Sequence, residues 1–347
     1  MRVRSEGVVD NPTTKMLPSG GAAAHERTCL ITGATSGVGL ELAAQLATQH
    51  GIKVIVGARS AAKSRDAVKA LQARYPDHQE LFVASPDMDI DDFDQIRASV
   101  DSLDSKLDML VLNAGVLNMK KNVVAPKTGL EVCFSGKVVG HYVLLMQLLK
   151  KEKLKEGGTV LFVGSESGTG GLLGVKLIDV KHLATKRFNN DVPNAIEAAL
   201  KGNLGRSGMY NYATANQFGV LWTLTIAPQL LVAKGIRMFA TSPGSVLSTK
   251  IHRNAGCFTI QISKIMSHLV FGGTLTEDTS VKERYVKLLL WPDKFEVGRF
   301  YASPYKKLAG PLTLQEAPPV MDRELGLLVI KAIEKVSGEG RPDWLRL

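Results

Sequence analysis

The chain has 347 residues and an apolar fraction of 45%, enough for one large domain or two small ones with buried cores. Its formal net charge of +10 indicates anionic partners, but the basic residues are scattered, which argues against a nucleic-acid-binding face. A phosphate-rich cofactor or an anionic membrane surface fits the charge equally well. No apolar run approaches the roughly eighteen residues of a membrane-spanning helix. Three widely spaced cysteines, Cys29, Cys133 and Cys257, lack metal-ligand spacing and are expected to be reduced thiols.

Residues 1–26 are predicted to be a disordered tail, because they contain Pro12, Pro18 and Gly20-Gly21 and show no apolar periodicity. They lack the apolar core of a secretory signal. Acidic residues in this short segment argue against a transit peptide. We therefore expect a cytoplasmic protein by default, with a plastid as the alternative.

From Thr28 onward, short apolar runs alternate with amphipathic stretches, a pattern typical of a parallel sheet with helices on both faces. Strands are predicted near 28–32, 53–57, 80–84, 108–112, 159–163, 236–240 and 298–302. Helices are predicted near 38–49, 60–74, 92–103, 129–151, 209–233 and 322–337. The expected fold is α/β, with a single doubly wound, Rossmann-like parallel sheet of about seven strands within residues 27–347.

Two segments depart from this alternation. Residues 168–208 form a long insertion with loop signals, which we expect to contribute to substrate binding. Residues 250–347 form a lid and C-terminal extension. Within it, apolar residues between 251 and 273 share one helix face. A helix packed on the core, a lid over an apolar substrate and a patch resting on a membrane all fit that face.

A glycine-rich turn follows the first predicted strand and precedes the first predicted helix. Without Cβ atoms the backbone can approach a dinucleotide pyrophosphate, whose charge the free N–H groups of the helix N-terminus favour. The residues predicted to line this cofactor site are Thr32, Gly33, Thr35, Ser36, Gly37, Val38 and Gly39.

The spacing Gly-x-x-x-Gly-x-Gly after a threonine resembles the short-chain dehydrogenase/reductase family. The likeness continues through Asn113-Ala114-Gly115, Gly164-Ser165 and Pro243-Gly244, in the family's order over residues 27–250. Past Ser165 the chain is most similar to the retinol-dehydrogenase and protochlorophyllide-reductase branch. The resemblance implies an oxidoreductase with an apolar substrate, and it is compatible with peripheral membrane contact. Because relatives often assemble through helices flanking the active site, it is also compatible with a homodimer.

The predicted cofactor is NADP(H). NAD-specific relatives place an acidic residue at the end of the second strand, whereas this chain has Ala58 followed by Arg59. Arginine can pair with a 2′-phosphate, and Lys63 follows one helical turn later. The resemblance implies adenine contacts from Asp89 and Ile90, ribose contacts from Asn113, Ala114 and Gly115, and nicotinamide and pyrophosphate contacts from Pro243, Gly244 and Ser248.

The family's catalytic groups are only partly present. Ser165 fits the serine that orients the substrate, and Tyr210 is taken as the counterpart of the tyrosine that transfers the proton. A lysine should follow that tyrosine by four residues, but Thr214 stands there. Starting from Tyr212 instead gives Asn216, so the lysine is absent in either register.

Lys137 is the candidate replacement for that lysine. Relatives have an asparagine three residues before the Gly140-His141 pair, close to their catalytic lysine, and here that position is Lys137. Lys137 is predicted to lower the pKa of Tyr210 from the neighbouring helix. The alternative is a decayed site with Lys137 in solvent.

Two other polar residues are weaker candidates for the catalytic site. Glu166 is either an auxiliary acid or an exposed loop residue, and His141 is expected to be a packing residue. No cluster of ligands suggests a metal. The predicted function is NADP(H)-dependent reduction of a carbonyl or activated double bond of an apolar substrate. The alternative is a pseudoenzyme that binds the dinucleotide as a sensor or scaffold.

Overall fold

The computed structural model describes residues 26–118, 120, 123–170, 175–246 and 274–347. Their strands form one eight-stranded sheet in the order β3-β2-β1-β4-β5-β6-β7-β8. The strands are β1 Thr28–Ile31, β2 Lys53–Val56, β3 Phe82–Ala84, β4 Leu107–Leu112, β5 Leu154–Val163, β6 Arg237–Thr241, β7 Phe300–Ala302 and β8 Thr313–Gln315. All neighbours pair in parallel except β7 and β8, which are antiparallel. The predicted doubly wound α/β fold is confirmed, with one strand more than expected.

Helices cover both faces of the sheet, and local sequence sets many of their ends. They are α1 Gly37–His50, α2 Ala61–Arg74, α3 Phe93–Asp101, α4 Val132–Lys150, α5 Val180–Arg187, α6 Val192–Leu200, α7 Gly208–Lys234, α8 over residues 277–290 and α9 Arg323–Ser337. Single turns of helix lie at Pro76–Leu81, Glu166–Thr169, Pro292–Lys294 and Pro318–Met321. The side chains of Ser60 and Asp92 cap the starts of α2 and α3. Left-handed glycines end α1, α7 and α9.

Two apolar clusters, one on each face of the sheet, form the core. The first joins α3, α4, α7 and α9 to the sheet, and the second joins α1, α2 and α8 to it. Helix α4 is, among the described residues, the one helix long and apolar enough to cross a membrane, yet 94% of it is buried. Its position in the middle of the first cluster accounts for its apolar sequence. The thiols of Cys29 and Cys133 are free and buried, as predicted, whereas Cys257 lies outside the described residues.

The insertion and the extension contain more regular structure than the sequence predicted. The insertion folds into α5 and α6, and the backbone N–H of Ile178 donates to Thr214 Oγ1 in α7 (2.8 Å). In the extension, α8 and β8 were also not predicted, because both are short and lack a clear period. Residues 1–25 and the apolar segment 251–273 lie outside the described residues, so their predicted roles stay predictions.

Candidate active site

The glycine turn between β1 and α1 has the geometry that a pyrophosphate requires. Gly33 and Gly37 have positive φ angles of 67° and 58°, which favour glycine. A Cβ at Gly39 would lie 2.6 Å from the Gly33 carbonyl oxygen and 2.7 Å from Asn113 Nδ2. Ser36 precedes α1 without a side-chain cap, so the first N–H groups of this helix stay available to an anion. The turn therefore fits a dinucleotide.

A buried hydrogen-bond network joins this turn to the end of β4. The Thr32 hydroxyl accepts from the backbone N–H groups of Asn113 (2.9 Å) and Ala114 (3.0 Å). His141 Nδ1 lies 3.1 Å from the Lys137 carbonyl, which can only accept, so Nδ1 carries the proton. His141 Nε2 then accepts from the Thr32 hydroxyl at 2.9 Å. Burial lowers the pKa of His141 to about 3, so the ring is neutral and structural, as expected.

The adenosine side combines exposed cations with a tightly packed strand end. Arg59 and Lys63 are exposed and form no hydrogen bond or ion pair through their side chains within the described part of the chain. Asp89 lies in the loop between β3 and α3, and its N–H donates to Gln95 Oε1 (2.6 Å). Ile90 is buried against the glycines of α4, where a side chain at Gly136 would collide with it. Arg59 and Lys63 are thus free to meet an anionic ligand.

Ser165 and the Pro243-Gly244 segment lie at the carboxyl ends of the adjacent strands β5 and β6. Ser165 Oγ accepts from the backbone N–H (3.3 Å) and the hydroxyl (3.1 Å) of Ser167, which fixes its position. Gly244 has a φ of 73°, and its N–H donates to Ser242 Oγ (3.2 Å). Both segments therefore face the same crevice as the glycine turn, where open α/β sheets bind ligands.

Glu166 is neither an exposed loop residue nor a free acid, which corrects both sequence-based alternatives. Its carboxylate accepts hydrogen bonds from the Ser242 hydroxyl and from Ser303 Oγ (2.8 Å). Arg284 Nη1 lies 3.5 Å from Glu166 Oε1, and the side chains of both residues are almost fully buried. Arg284 also donates to the carbonyl oxygens of Ser242 (3.0 Å) and Gly310 (3.1 Å). This ionic cluster ties the Ser165 turn and the Pro243-Gly244 segment to the C-terminal extension.

The tyrosine beside Ser165 is Tyr212, not Tyr210. Burial raises the pKa of Tyr212, while hydrogen bonding from the hydroxyl of Ser165 and the amide of Asn216 opposes that rise. Thr214, the residue four positions after Tyr210, is fully buried and accepts from the insertion at Ile178 instead. A helix turns about 100° per residue, so Tyr210 and Tyr212 lie on opposite sides of α7. The structure brings Tyr212 to the site and places Tyr210 on the other side of the helix.

Lys137 lies next to Tyr212 and is not in solvent. Its side chain is buried, and Nζ lies 6.0 Å from the centroid of the Tyr212 ring and 5.9 Å from that of Phe162. A Cβ at Gly115 would come within 3.3 Å of Lys137 Nζ, so the ammonium also faces the Asn113-Ala114-Gly115 segment. Burial lowers the pKa of Lys137 to about 8. The expected cation is present, but its neighbour is Tyr212.

Comparison with known proteins agrees with this geometry. The chain matches the short chain dehydrogenase family over residues 27–177. It is 29% identical over 230 residues to retinol dehydrogenase 12 of Mus musculus, covering 65% of this chain and 63% of that protein. It is 28% identical over 251 residues to the WW domain-containing oxidoreductase of Drosophila melanogaster, covering 71% and 55%. It is 32% identical over 176 residues to the chloroplastic protochlorophyllide reductase of Marchantia paleacea, covering 48% and 37%.

Comparison of the fold with solved structures agrees with the sequence matches. The structure superposes on 3-ketoacyl-(acyl-carrier-protein) reductase from Brucella melitensis, solved with NADH, with a TM-score of 0.57 at 21% identity, covering 82% of this chain and 98% of that one. Family match, relatives and fold agree with the glycine turn and the Ser165 crevice. The chain belongs to the short-chain dehydrogenase/reductase family.

This short-chain dehydrogenase/reductase spans between about a third and two thirds of the length of the three curated relatives named above. Its sequence pattern located the glycine turn, the strand ends and Lys137 but missed the position of Tyr212 beside Ser165, its contact with Asn216 and the Glu166–Arg284 pair. The Tyr212–Asn216 register lacks the family's lysine just as the Tyr210–Thr214 register does, so the spacing gave no signal in favour of Tyr212. Ser248 lies outside the described residues, so its predicted cofactor contact stays a prediction.

Proposed function

We propose that this short-chain dehydrogenase/reductase is an NADP(H)-dependent oxidoreductase that reduces a carbonyl or activated double bond of an apolar substrate. The observation that carries the proposal is the convergence of Ser165, Tyr212 and Lys137 beside the glycine turn. A bound nicotinamide would supply the hydride. Ser165 would donate a hydrogen bond to the substrate oxygen, and Tyr212 would deliver the proton to it. The Lys137 ammonium favours the ionised phenol through its charge.

Arg59 supports the choice of NADP(H) over NAD(H). It is exposed next to the buried Ala58 after the end of β2, the position at which NAD-specific relatives carry an acidic residue. Its guanidinium is free to pair with a 2′-phosphate, and exposed Lys63 lies in the first turn of α2. The names of the relatives, a retinol dehydrogenase and a protochlorophyllide reductase, support an apolar substrate.

A second candidate function has one observation in its favour. Asn216, rather than a lysine, follows Tyr212 by four residues. If the charge on Lys137 does not reach the phenol, the chain would bind the dinucleotide without turnover and act as a sensor or scaffold. The two candidates share the cofactor site and differ in whether bound NADPH is consumed.

Location and surface contacts are part of the same proposal. We expect the cytoplasm by default and keep the plastid as the alternative, because one relative is named as chloroplastic. Peripheral membrane contact through residues 251–273 also stays a proposal, since these lie outside the described residues. No nucleic-acid partner is proposed.

Titration of the protein with NADPH and NADH, followed by nicotinamide fluorescence, tests the proposal. NADPH is expected to bind more tightly, and Arg59→Ala is expected to weaken NADPH binding about tenfold while leaving NADH binding unchanged, as for the loss of a charge-assisted hydrogen bond. The matched control is Arg65→Ala, an exposed arginine on helix α2, which begins two residues after Arg59. Failure to bind either nucleotide would contradict both candidate functions. Binding without oxidation of NADPH by any carbonyl in a broad panel would favour the sensor or scaffold.

A further inference from the structure

Two buried polar residues next to Tyr212, Lys137 and Asn216, have interchanged residue types when the chain is compared with the family pattern. Relatives have a lysine four residues after the tyrosine and an asparagine three residues before the Gly-His pair. Here Asn216 follows Tyr212 by four residues, and Lys137 precedes Gly140 by three. We infer that Lys137 and Asn216 have exchanged roles as the positioning residues of Tyr212. This inference rests on the proposed function, because it takes Tyr212 as the proton donor.

The first part of the argument is the environment of Lys137. Its side chain is 4% exposed, and Nζ forms no hydrogen bond or ion pair with any residue in the described ranges. An unpaired ammonium in such a position costs free energy, so packing alone would favour an apolar side chain there. Its neighbours are the rings of Tyr212 and Phe162 and the backbone of Gly115. The charge is therefore held against the tyrosine and the segment that follows β4.

The second part is the environment of Asn216. The residue is fully buried, and Nδ2 donates to the backbone carbonyl of Tyr212 at 2.8 Å. Its Oδ1 is buried and has no hydrogen-bond partner among the described residues. Native proteins rarely leave such an oxygen unpaired unless a water or ligand completes it. Asn216 thus places a neutral, partly unsatisfied amide where relatives place a cation.

The two departures compensate each other chemically. A lysine at 216 together with Lys137 would put two ammonium groups around one phenol, and an asparagine at 137 with Asn216 would leave none. The observed pair keeps one cation and one amide, with the charge supplied from α4 instead of α7. The alternative register, with Thr214 at the lysine position, fails because its hydroxyl accepts from Ile178 in the insertion.

Reciprocal substitution tests the exchange. The readout is kcat for NADPH oxidation with the best carbonyl substrate from a panel, measured at pH 7, where Lys137 is charged because its pKa is about 8. Lys137→Asn is expected to lower kcat at least a hundredfold, because the phenol then loses its neighbouring cation. Adding Asn216→Lys to Lys137→Asn is expected to restore kcat to within about tenfold of the wild type.

Controls separate this result from folding and from the proposed function. Lys186→Asn removes an exposed lysine on α5 and is expected to leave kcat unchanged. Circular dichroism confirms that each variant is folded, and Lys137→Met provides a second neutral side chain if Lys137→Asn fails to fold. An unchanged kcat in the neutral variants, or a double variant no better than Lys137→Asn alone, would overturn the exchange. Absence of turnover in the wild-type protein would instead overturn the proposed function on which the exchange rests, so the two failures are distinguishable.

Discussion

Glu166 and Arg284 form an ion pair inside the protein, with Arg284 Nη1 3.5 Å from Glu166 Oε1 and both side chains almost fully buried. Burial lowers the pKa of Arg284, and the nearby Glu166 carboxylate opposes that shift. Additional hydrogen bonds from Ser242 and Ser303 to the carboxylate satisfy the remaining lone pairs. The pair stands directly behind Ser165 and Pro243, so its integrity affects the candidate site as well as stability.

Removing one partner of this pair leaves the other charge buried without compensation. We expect Arg284→Met to lower the free energy of unfolding by about 3–5 kcal/mol, measured by urea denaturation. The double variant Glu166→Gln/Arg284→Met is expected to recover part of that loss, because no ionised group is then stranded. Lys287→Met, which removes a half-exposed partner of Glu283, serves as the control with an expected loss below about 1 kcal/mol. A loss of similar size in Arg284→Met and the control would contradict the prediction.

The buried Lys137 ammonium predicts an unusual dependence of stability on pH. Its pKa is about 8 in the native protein and 10.5 in the ordinary, unfolded environment. Between these values the unfolded chain binds more protons, so the free energy of unfolding rises with pH across this window, by about 3 kcal/mol in total. Below pH 8 Lys137 is charged in both the native and the unfolded state, so the native state carries the full free-energy cost of burying that charge.

Lys137→Met isolates this contribution, because other titrating groups are common to both proteins. We expect the variant to be more stable than the wild type at neutral pH and the difference to shrink as pH rises toward 10.5. Chemical denaturation of both proteins at several pH values, without nucleotide, measures the difference. A difference that does not change with pH would show that Lys137 is solvated in the native state.

Substituting the two tyrosines near the start of α7 is expected to affect turnover differently. Tyr212→Phe removes the phenol beside Ser165 and is expected to reduce kcat by about two to four orders of magnitude, the range of general acid catalysis, while leaving NADPH binding intact. Tyr210→Phe removes a hydroxyl on the other side of the helix and is expected to keep turnover within about threefold of wild type. Steady-state kinetics with the best carbonyl substrate from a panel distinguishes them. Loss of turnover in Tyr210→Phe alone would restore the original assignment.

Helix α9 covers α4 and α7, the two helices that carry Lys137 and Tyr212 and flank the candidate site. Tyr142 on α4 donates to Glu334 Oε1 on α9 at 2.8 Å. The nearly buried Glu339 beyond α9 accepts from Gln147 Nε2 (2.8 Å) and pairs with Lys150, both on α4. A side chain at Gly326 would collide with Thr225 on α7, so α9 and α7 pack in close contact.

We therefore expect a monomer in place of the homodimer suggested by the resemblance. Light scattering coupled to size exclusion should give a mass near 37.5 kDa at micromolar concentration. A mass twice as large would mean that the chain associates through a surface other than the one covered by α9.

The sequence alone determined the doubly wound fold, because alternating apolar runs and amphipathic stretches are local patterns that survive without knowledge of distant contacts. It also determined the glycine turn, since the conformations at Gly33 and Gly37 and the close approach at Gly39 restrict those positions to glycine. The strand ends carrying Asn113, Ser165 and Pro243 followed from the order of the strands, because parallel strands bring their carboxyl ends to one edge.

Only the tertiary structure decided which residues meet at that edge. The sequence pattern favoured Tyr210, but which tyrosine meets Ser165 depends on the rotational position of α7, which its contacts with Ile178 and Ser165 fix. Charge patterns likewise do not reveal whether a side chain is buried. Lys137 and Glu166 both looked compatible with solvent, yet packing between distant elements encloses one against Tyr212 and pairs the other with Arg284. Burial and helix phase arise from contacts between segments far apart in the chain, and a local pattern carries neither.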